Sequence, residues 1–213
     1  MFSTVITKYI LRLLVGITLA AGIISCGEEE VDPTIQDKVD DGWAQFKSGN
    51  YASALETFKQ AYLELIKDGK RLPNAELALG WGYYRLNQPD SAVKYLTMCM
   101  NDEKEAIIPY SFIELYDLDN TVDHAIMPTS DMLAKLKTFL TTERPSYVFQ
   151  YDNSINHSDG ALTGAQIQFK LKDYAKSVEF IQLIDKSFAP DPESQDYVKQ
   201  ILDKLDTLVA ANG

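Results

Sequence analysis

The sequence has few of the residues on which several common classes of protein depend. It has two cysteines and two histidines in 213 residues, too few for a disulfide framework or a histidine-rich metal site. Its 20 basic residues are outnumbered by 31 acidic ones. Because binding to the phosphates of nucleic acid requires clustered Lys and Arg, this balance disfavours nucleic acid as a partner. With only 8 prolines and 46% hydrophobic residues, the composition is that of a globular chain, and this length suggests one domain.

The sequence also lacks an apolar run long enough to span a membrane. The basic residues Lys8 and Arg12 precede an apolar run of twelve residues at 13–24. A membrane-spanning helix needs about 20 apolar residues, so this run is too short. The run therefore predicts the core of a signal peptide. It ends in Ile-Ile-Ser-Cys at 23–26, which resembles the lipobox of bacterial lipoproteins, where a signal peptidase cuts before a cysteine that carries a diacylglycerol. The resemblance implies that residues 1–25 are removed and that Cys26 is lipidated; the alternative is an ordinary signal peptide in which Cys26 is incidental.

Three glutamates at 28–30 follow the cysteine directly. They are interpreted either as part of a solvated acidic linker over 26–36, or as a cluster that resembles the surface-export signal of Bacteroidetes-type lipoproteins. With the lipid anchor, they predict a location in the cell envelope, at the outer membrane, facing either the periplasm or the cell surface.

The segments 42–61 and 80–99 contain related residue types at a constant step of 38 residues. The matched positions are Gly42 and Gly80, Trp43 and Trp81, Phe46 and Tyr84, Lys47 and Arg85, Ala54 and Ala92, and Phe58 and Leu96. The pattern is similar to the tetratricopeptide repeat (TPR), a helix–turn–helix unit of about 34 residues in which small residues lie where helices touch. Leu79, Gly80 and Tyr83 match the family signature, although Glu76 stands where Trp is usual.

The resemblance implies an all-α domain over residues 37–213, a TPR-like α-α superhelix of helix hairpins. A third, weaker unit lies at 165–184, and Asp191, Pro192 and Glu193 predict the start of a helix that closes the array. The apolar stripe of that last helix consists of Tyr197, Val198, Ile201, Leu202, Leu205, Leu208 and Val209.

Residues from about 101 to 160 fit no repeat, and we expect them to form an irregular insertion that packs against the helices. A helical stripe behind a Ser130 cap comprises Met132, Leu133, Leu136, Phe139 and Leu140. Tyr147, Phe149 and Tyr151 alternate as in a strand, so the insertion is expected to hold short strands. The polar loop at 152–157 is interpreted as a capping loop before the third unit rather than as a calcium loop.

One motif in the insertion offers a catalytic alternative. Residues 112–122 look like the first motif of the haloacid dehalogenase superfamily, an apolar strand that ends in Asp-x-Asp-x-Thr. That resemblance implies a small Mg²⁺-dependent phosphatase with Asp117 as nucleophile and Asp119 as general acid–base. Glu114 interrupts the strand that the motif requires, and we favour an acidic turn between two short elements.

The matched tryptophans and cations are the candidate partner-binding residues. Trp43 and Lys47, like Trp81 and Arg85, are four residues apart and so lie on one helix face, and Lys170 keeps the cation in the third unit. In TPR proteins such positions line a concave groove, and aromatic anchors with cations would suit a peptide there. The alternative is that both tryptophans are core residues and the cations are solvated.

The sequence therefore predicts a lipid-anchored, non-catalytic interaction module of the cell envelope. Its expected partner is a protein or peptide, its contact with the membrane is the N-terminal lipid, and it needs no metal or cofactor. A glycan-binding accessory lipoprotein is a further alternative, because some such proteins are built on similar helical repeats.

Overall fold

A computed structural model describes residues 33–212, and the structural statements below concern those residues. The expected signal peptide, Cys26 and the glutamates at 28–30 lie outside this range. The first helix begins at Pro33, inside the segment expected to be a linker. Within the described range, no helix combines the length and the apolarity that are needed to cross a membrane.

The described part of the chain is mostly helical, which confirms the all-α fold class. Its α-helices are α1 (Pro33–Lys47), α2 (Tyr51–Lys67), α3 (Pro73–Arg85), α4 (Pro89–Cys99), α5 (Ile107–Asn120), α6 (Thr129–Thr138), α7 (His157–Lys170), α8 (Tyr174–Ile184) and α9 (Tyr197–Asn212). A short 3-10 helix, Lys104–Ala106, precedes α5, and a π-helical turn, Phe139–Glu143, extends α6.

Local sequence explains several helix starts. Pro73 and Pro89 occupy the first positions of α3 and α4, where a missing N–H does no harm and the fixed φ suits a helix. Asn156 caps α7: its side chain accepts a hydrogen bond from the backbone N–H of Ser158, while Asp159 accepts one from the backbone N–H of Asn156. The capping loop predicted before the third unit is therefore confirmed.

Helices that are adjacent in the chain pack as hairpins: α1 with α2, α3 with α4, and α7 with α8. Each hairpin places a glycine under a large side chain. A Cβ atom on Gly42 would lie 2.3 Å from Cε1 of Phe58, and one on Gly80 would lie 2.5 Å from Cδ2 of Leu96. These contacts explain why the glycine and the large residue recur together at the 38-residue step.

The third hairpin has the same contact, shifted by one residue from the sequence alignment. The alignment pairs Ala165 with Ile181, but it is Gly164 that lies under a ring, since a Cβ there would be 2.5 Å from Cε1 of Phe180. The starts of the second helices do follow the alignment, because α2 begins at Tyr51 and α8 at Tyr174.

The last helix packs against α7 and α8, as expected of a closing helix. Ile201, Leu205 and Leu208 are buried against the core. The expected start is wrong, because residues 192–196 form turns and bends and α9 begins at Tyr197. Ser194 Oγ accepts a hydrogen bond from the backbone N–H of Asp196 in this turn.

The segment 101–160 is more regular than expected. It holds α5 and α6, and the stripe predicted on α6 and its π-helical extension is buried: Met132, Leu133, Leu136, Phe139 and Leu140. The short strands are not present in the described residues, where the segment forms only one isolated bridge, between Val148 and Asn156. The chain turns back on itself here, with the N–H of Phe149 donating to the carbonyl of Ile155, so the alternating rings pack onto helices instead of joining a sheet.

Candidate binding face and pocket

The two matched tryptophans do not line an open groove. Trp43 is 1% exposed and Trp81 is fully buried, so the expectation that their rings face a free partner-binding surface is wrong. A later part of the chain covers them: the ring of Tyr151 stacks on Trp43 with centroids 3.9 Å apart, and Phe149 stacks on Trp81 at 4.2 Å. We call the surface formed by these two tryptophans the Trp face.

Phe149 and Tyr151 belong to a turn, which is closed by a hydrogen bond from the backbone N–H of Asp152 to the carbonyl of Phe149. This turn brings both rings to the Trp face, and Phe149 also lies 5.9 Å from the ring of Trp43. The indole N–H of Trp43 donates to the side-chain oxygen of Asn74, at 2.9 Å.

The three candidate cations have separate environments. Lys47 is exposed. Arg85 forms an ion pair with Asp152, the residue that follows Tyr151, and its guanidinium lies 5.2 Å from the centre of the Tyr51 ring. Lys170 forms an ion pair with Asp119 of α5. Of the predicted cations, only Arg85 is placed at the covered Trp face.

The catalytic alternative fails on local structure. Asp117 and Asp119 lie in α5, so both the strand required by the phosphatase motif and the acidic turn that we favoured are wrong. Two residues apart in an α-helix means about 200° around its axis, so the two carboxylates face different directions. Asp117 is 5% exposed and accepts hydrogen bonds from the backbone and Nδ1 of His124, at 2.8 and 2.6 Å.

The buried acids of α5 hold the loop that follows it. Tyr110, Glu114 and Asp117 are spaced i, i+4, i+7 and lie on one face of the helix. The Tyr110 hydroxyl accepts hydrogen bonds from the backbone N–H groups of two loop residues, and Glu114 accepts one from Thr129. Hydrogen bonding to Asp117 raises the pKa of His124, and burial raises the pKa of Glu114. This set is a structural support for the loop.

An open pocket of about 300 Å³ lies between the end of α3 and α5. Its walls include three aromatic side chains, Tyr84, Phe112 and Tyr116. Beside them lie Arg85, Asn87 and Pro89. The ring centroids of Tyr84 and Phe112 are 5.8 Å apart, and Tyr116 is 47% exposed. We call this the Tyr84 pocket. The sequence contains one signal for it, the aromatic pair Phe112 and Tyr116 at i and i+4, which share a face only because this segment is a helix and not the predicted strand or turn.

Arg85 has one donor without a partner among the described residues, and that donor is not accessible from the surface. The Nε–H of Arg85 is buried and has no hydrogen-bond partner among the described residues, although another nitrogen of the same guanidinium is paired with Asp152. Burial raises the pKa of Tyr84, and the charge of Arg85 opposes that effect. The Tyr84 hydroxyl therefore stays neutral at physiological pH.

No cluster of three or more His, Cys, Asp or Glu side chains suited to a metal ion occurs within residues 33–212. In comparisons with known proteins, no family model, no curated protein and no solved structure matches the chain.

Proposed function

We propose that this chain is a lipid-anchored interaction module of the cell envelope, built on TPR-like helix hairpins that stack into a superhelix, and that its partner is a protein with an extended segment. The recurring glycine contacts and the 38-residue step support the repeat architecture. The Ile-Ile-Ser-Cys motif at 23–26 supports an anchor at Cys26.

The observation that carries the binding role is the occupied Trp face. Matched positions on α1 and α3 each stack on a ring from one later segment of the chain, and Asp152 at the end of that segment pairs with Arg85. The first helices of two hairpins thus form a surface that binds two aromatic side chains of a single segment. In this structure the occupant belongs to the protein itself, so a partner would have to use the surface that remains open beside it.

The open surface next to the Trp face is the Tyr84 pocket, and photo-crosslinking from it tests the proposal. A photoreactive amino acid replaces Tyr116, which lines the pocket, in cells that express the full-length protein. The matched control carries the same amino acid at Leu63 of α2, which is 64% exposed and lies outside the pocket. We expect a discrete crosslinked species from position 116 and none of the same size from position 63.

The same cells test the anchor. Cys26→Ser should move the protein from the membrane fraction to the soluble fraction, or leave it unprocessed, because the lipid supplies the membrane affinity. A wild-type protein that is already soluble after fractionation would refute the lipoprotein assignment. Crosslinks of equal pattern at positions 116 and 63, or none at 116, would argue against a partner at this surface.

A further inference from the structure

We propose that residues 144–152, which we call the return segment, form a pH-sensitive cover of the Trp face that stays closed while Glu105 is uncharged and opens when Glu105 ionises. A rise in pH then makes the two tryptophans accessible to a partner more often. The switch goes beyond the proposed function and does not depend on it, because crosslinking from Tyr116 tests the neighbouring surface whether or not the cover opens.

Side chains hold the return segment to the helices. Phe149 and Tyr151 stack on the Trp face, and the ring of Tyr147 meets that of Phe139 edge-on, with centroids 5.1 Å apart. The backbone hydrogen bonds of residues 147–152, in contrast, all join positions between 144 and 157 in the described structure. The segment can therefore lift from the Trp face with these backbone hydrogen bonds intact, and the cost of opening lies in its side-chain contacts.

Two polar side-chain atoms lie buried at the contact between the return segment and the 3-10 helix. Oε1 of Glu105 and the hydroxyl of Tyr147 have no hydrogen-bond partner among the described residues, and Tyr147 is 2% exposed. Burial and, to a lesser degree, Glu105 raise the pKa of the Tyr147 hydroxyl, so the two side chains are near each other. A buried polar group without a partner is unfavourable, and a buried charge is more so. Water reaches an ionised Glu105 once the segment lifts, so ionisation favours opening.

The groups that interact electrostatically with Glu105 belong to the return segment and to the residue just before the 3-10 helix. Burial raises the pKa of Glu105 from 4.5 to about 7; Arg144 of the return segment lowers it, and Glu103 raises it. Burial is the main reason that the pKa of Tyr151 is raised, and Glu105 adds to that effect. Arg144, Tyr147 and Tyr151 thus all lie near this carboxyl, so the return segment is part of its cover.

Helices α4 and α5 also pack against the 3-10 helix. Cys99 at the end of α4 is neutral, since burial raises the pKa of its thiol. In α5, Tyr110, Glu114 and Asp117 bind the loop that follows the helix. Among the described residues, none of these four groups shifts the pKa of Glu105, so the return segment is the part of the cover on which its ionisation acts.

The direction of the switch follows from the higher pKa of the closed form. Below pH 4.5 Glu105 is protonated whether the segment is closed or open, so the closed form keeps its full stability, and that stability is lost as the pH rises through 7. With a pKa of about 7 when closed and the ordinary 4.5 when hydrated, the equilibrium constant for opening rises about 70-fold from pH 5 to pH 8.

The chain contains two tryptophans and both belong to the Trp face, so their indole N–H signals in an NMR spectrum report on this face alone. The measured quantity is the hydrogen-exchange protection of the buried Trp81 indole N–H, relative to free indole at the same pH, in the full-length protein in detergent at pH 5 and pH 8. The backbone amide of buried Phe58 in α2 reports unfolding of the whole domain. The variants are Glu105→Gln and the matched control His157→Gln, because a histidine at the start of α7 can also titrate in this range.

We expect the protection of the Trp81 indole N–H to fall about 70-fold from pH 5 to pH 8 in the wild type and in His157→Gln, and to be independent of pH in Glu105→Gln. The Phe58 amide should stay better protected than the indole by about tenfold or more at pH 8, because the opening is local. A pH effect that persists in Glu105→Gln, one that disappears in His157→Gln, or none in the wild type would overturn the switch. So would equal protection of Trp81 and Phe58, since the whole domain would then unfold together.

Discussion

Replacement of Glu105 by Gln should stabilise the protein in a pH-dependent way. Glu105 lies in the 3-10 helix before α5, and its Oε1 atom is buried without a hydrogen-bond partner among the described residues. Burial raises the pKa of this carboxyl from its ordinary value of 4.5 to about 7; Arg144 lowers the pKa and Glu103 raises it. The hydroxyl of Tyr147, whose pKa is raised by burial and by Glu105, is likewise buried without a partner.

The magnitude follows from the difference between the folded and unfolded states. A pKa of about 7 in place of 4.5 means that ionised Glu105 destabilises the folded state by about 3 kcal/mol. Because the folded pKa is the higher one, the stability from protonated Glu105 is fully present below pH 4.5 and is lost as the pH rises towards 7. Integrated over this range, the gain from Glu105→Gln should be about 2.5 kcal/mol larger at pH 8 than at pH 5.

The assay is urea denaturation of wild type and variant at both pH values. The comparison between pH values is the informative quantity, because the new amide is buried at both and its own effect cancels. The control is Glu193→Gln, at an exposed carboxyl in the turn before α9, which should change stability by less than about 0.5 kcal/mol at either pH. An identical gain for Glu105→Gln at pH 5 and pH 8 would refute the reasoning, since ionisation would then not be the cause.

Two further predictions concern the repeats. Trp81→Ala should lower the free energy of unfolding, measured by urea denaturation, by about 3–5 kcal/mol because its ring is fully buried. The control Lys47→Ala, at an exposed residue, should change it by less than about 0.5 kcal/mol, and an equally small effect of Trp81→Ala would contradict the core assignment. Gly80→Ala should be destabilised by about 1–3 kcal/mol, because the new methyl group would lie 2.5 Å from Cδ2 of Leu96. Its thermal midpoint is compared with that of Ser53→Ala, a control at an exposed residue, and equal midpoints would show that the hairpin can open to admit a methyl group.

The helix hairpins could be predicted from the sequence because each is a local pattern. Gly42 with Phe58 and Gly80 with Leu96 are sixteen residues apart, and small and large residues at that spacing suit two helices joined by a short turn. The stripe that begins at Met132 was predictable for the same reason, since helical periodicity identifies an apolar face without reference to the rest of the chain.

The helix α5 could not be predicted, because polar and acidic residues are buried among its apolar ones. Tyr110, Glu114 and Asp117 resemble turn or active-site residues in a sequence, and only the loop that they bind explains their burial. The alternation of Tyr147, Phe149 and Tyr151 does not distinguish a strand from an irregular segment with buried rings. A strand requires a neighbour that offers backbone hydrogen bonds, and here the chain turns at 149–152 and its rings meet helices instead.

The sequence by itself determined that Trp43 and Trp81 are equivalent, that each lies on a helix with a cation four residues later, and that the fold class is all-α. Only the tertiary structure decided that these rings are covered, because their cover, Phe149 and Tyr151, is more than 65 residues further along the chain than Trp81. Periodicity shows which face of a helix is apolar, since that depends on neighbours within a few turns. What covers the face depends on where a distant segment returns, and here residues 149–152 return to it.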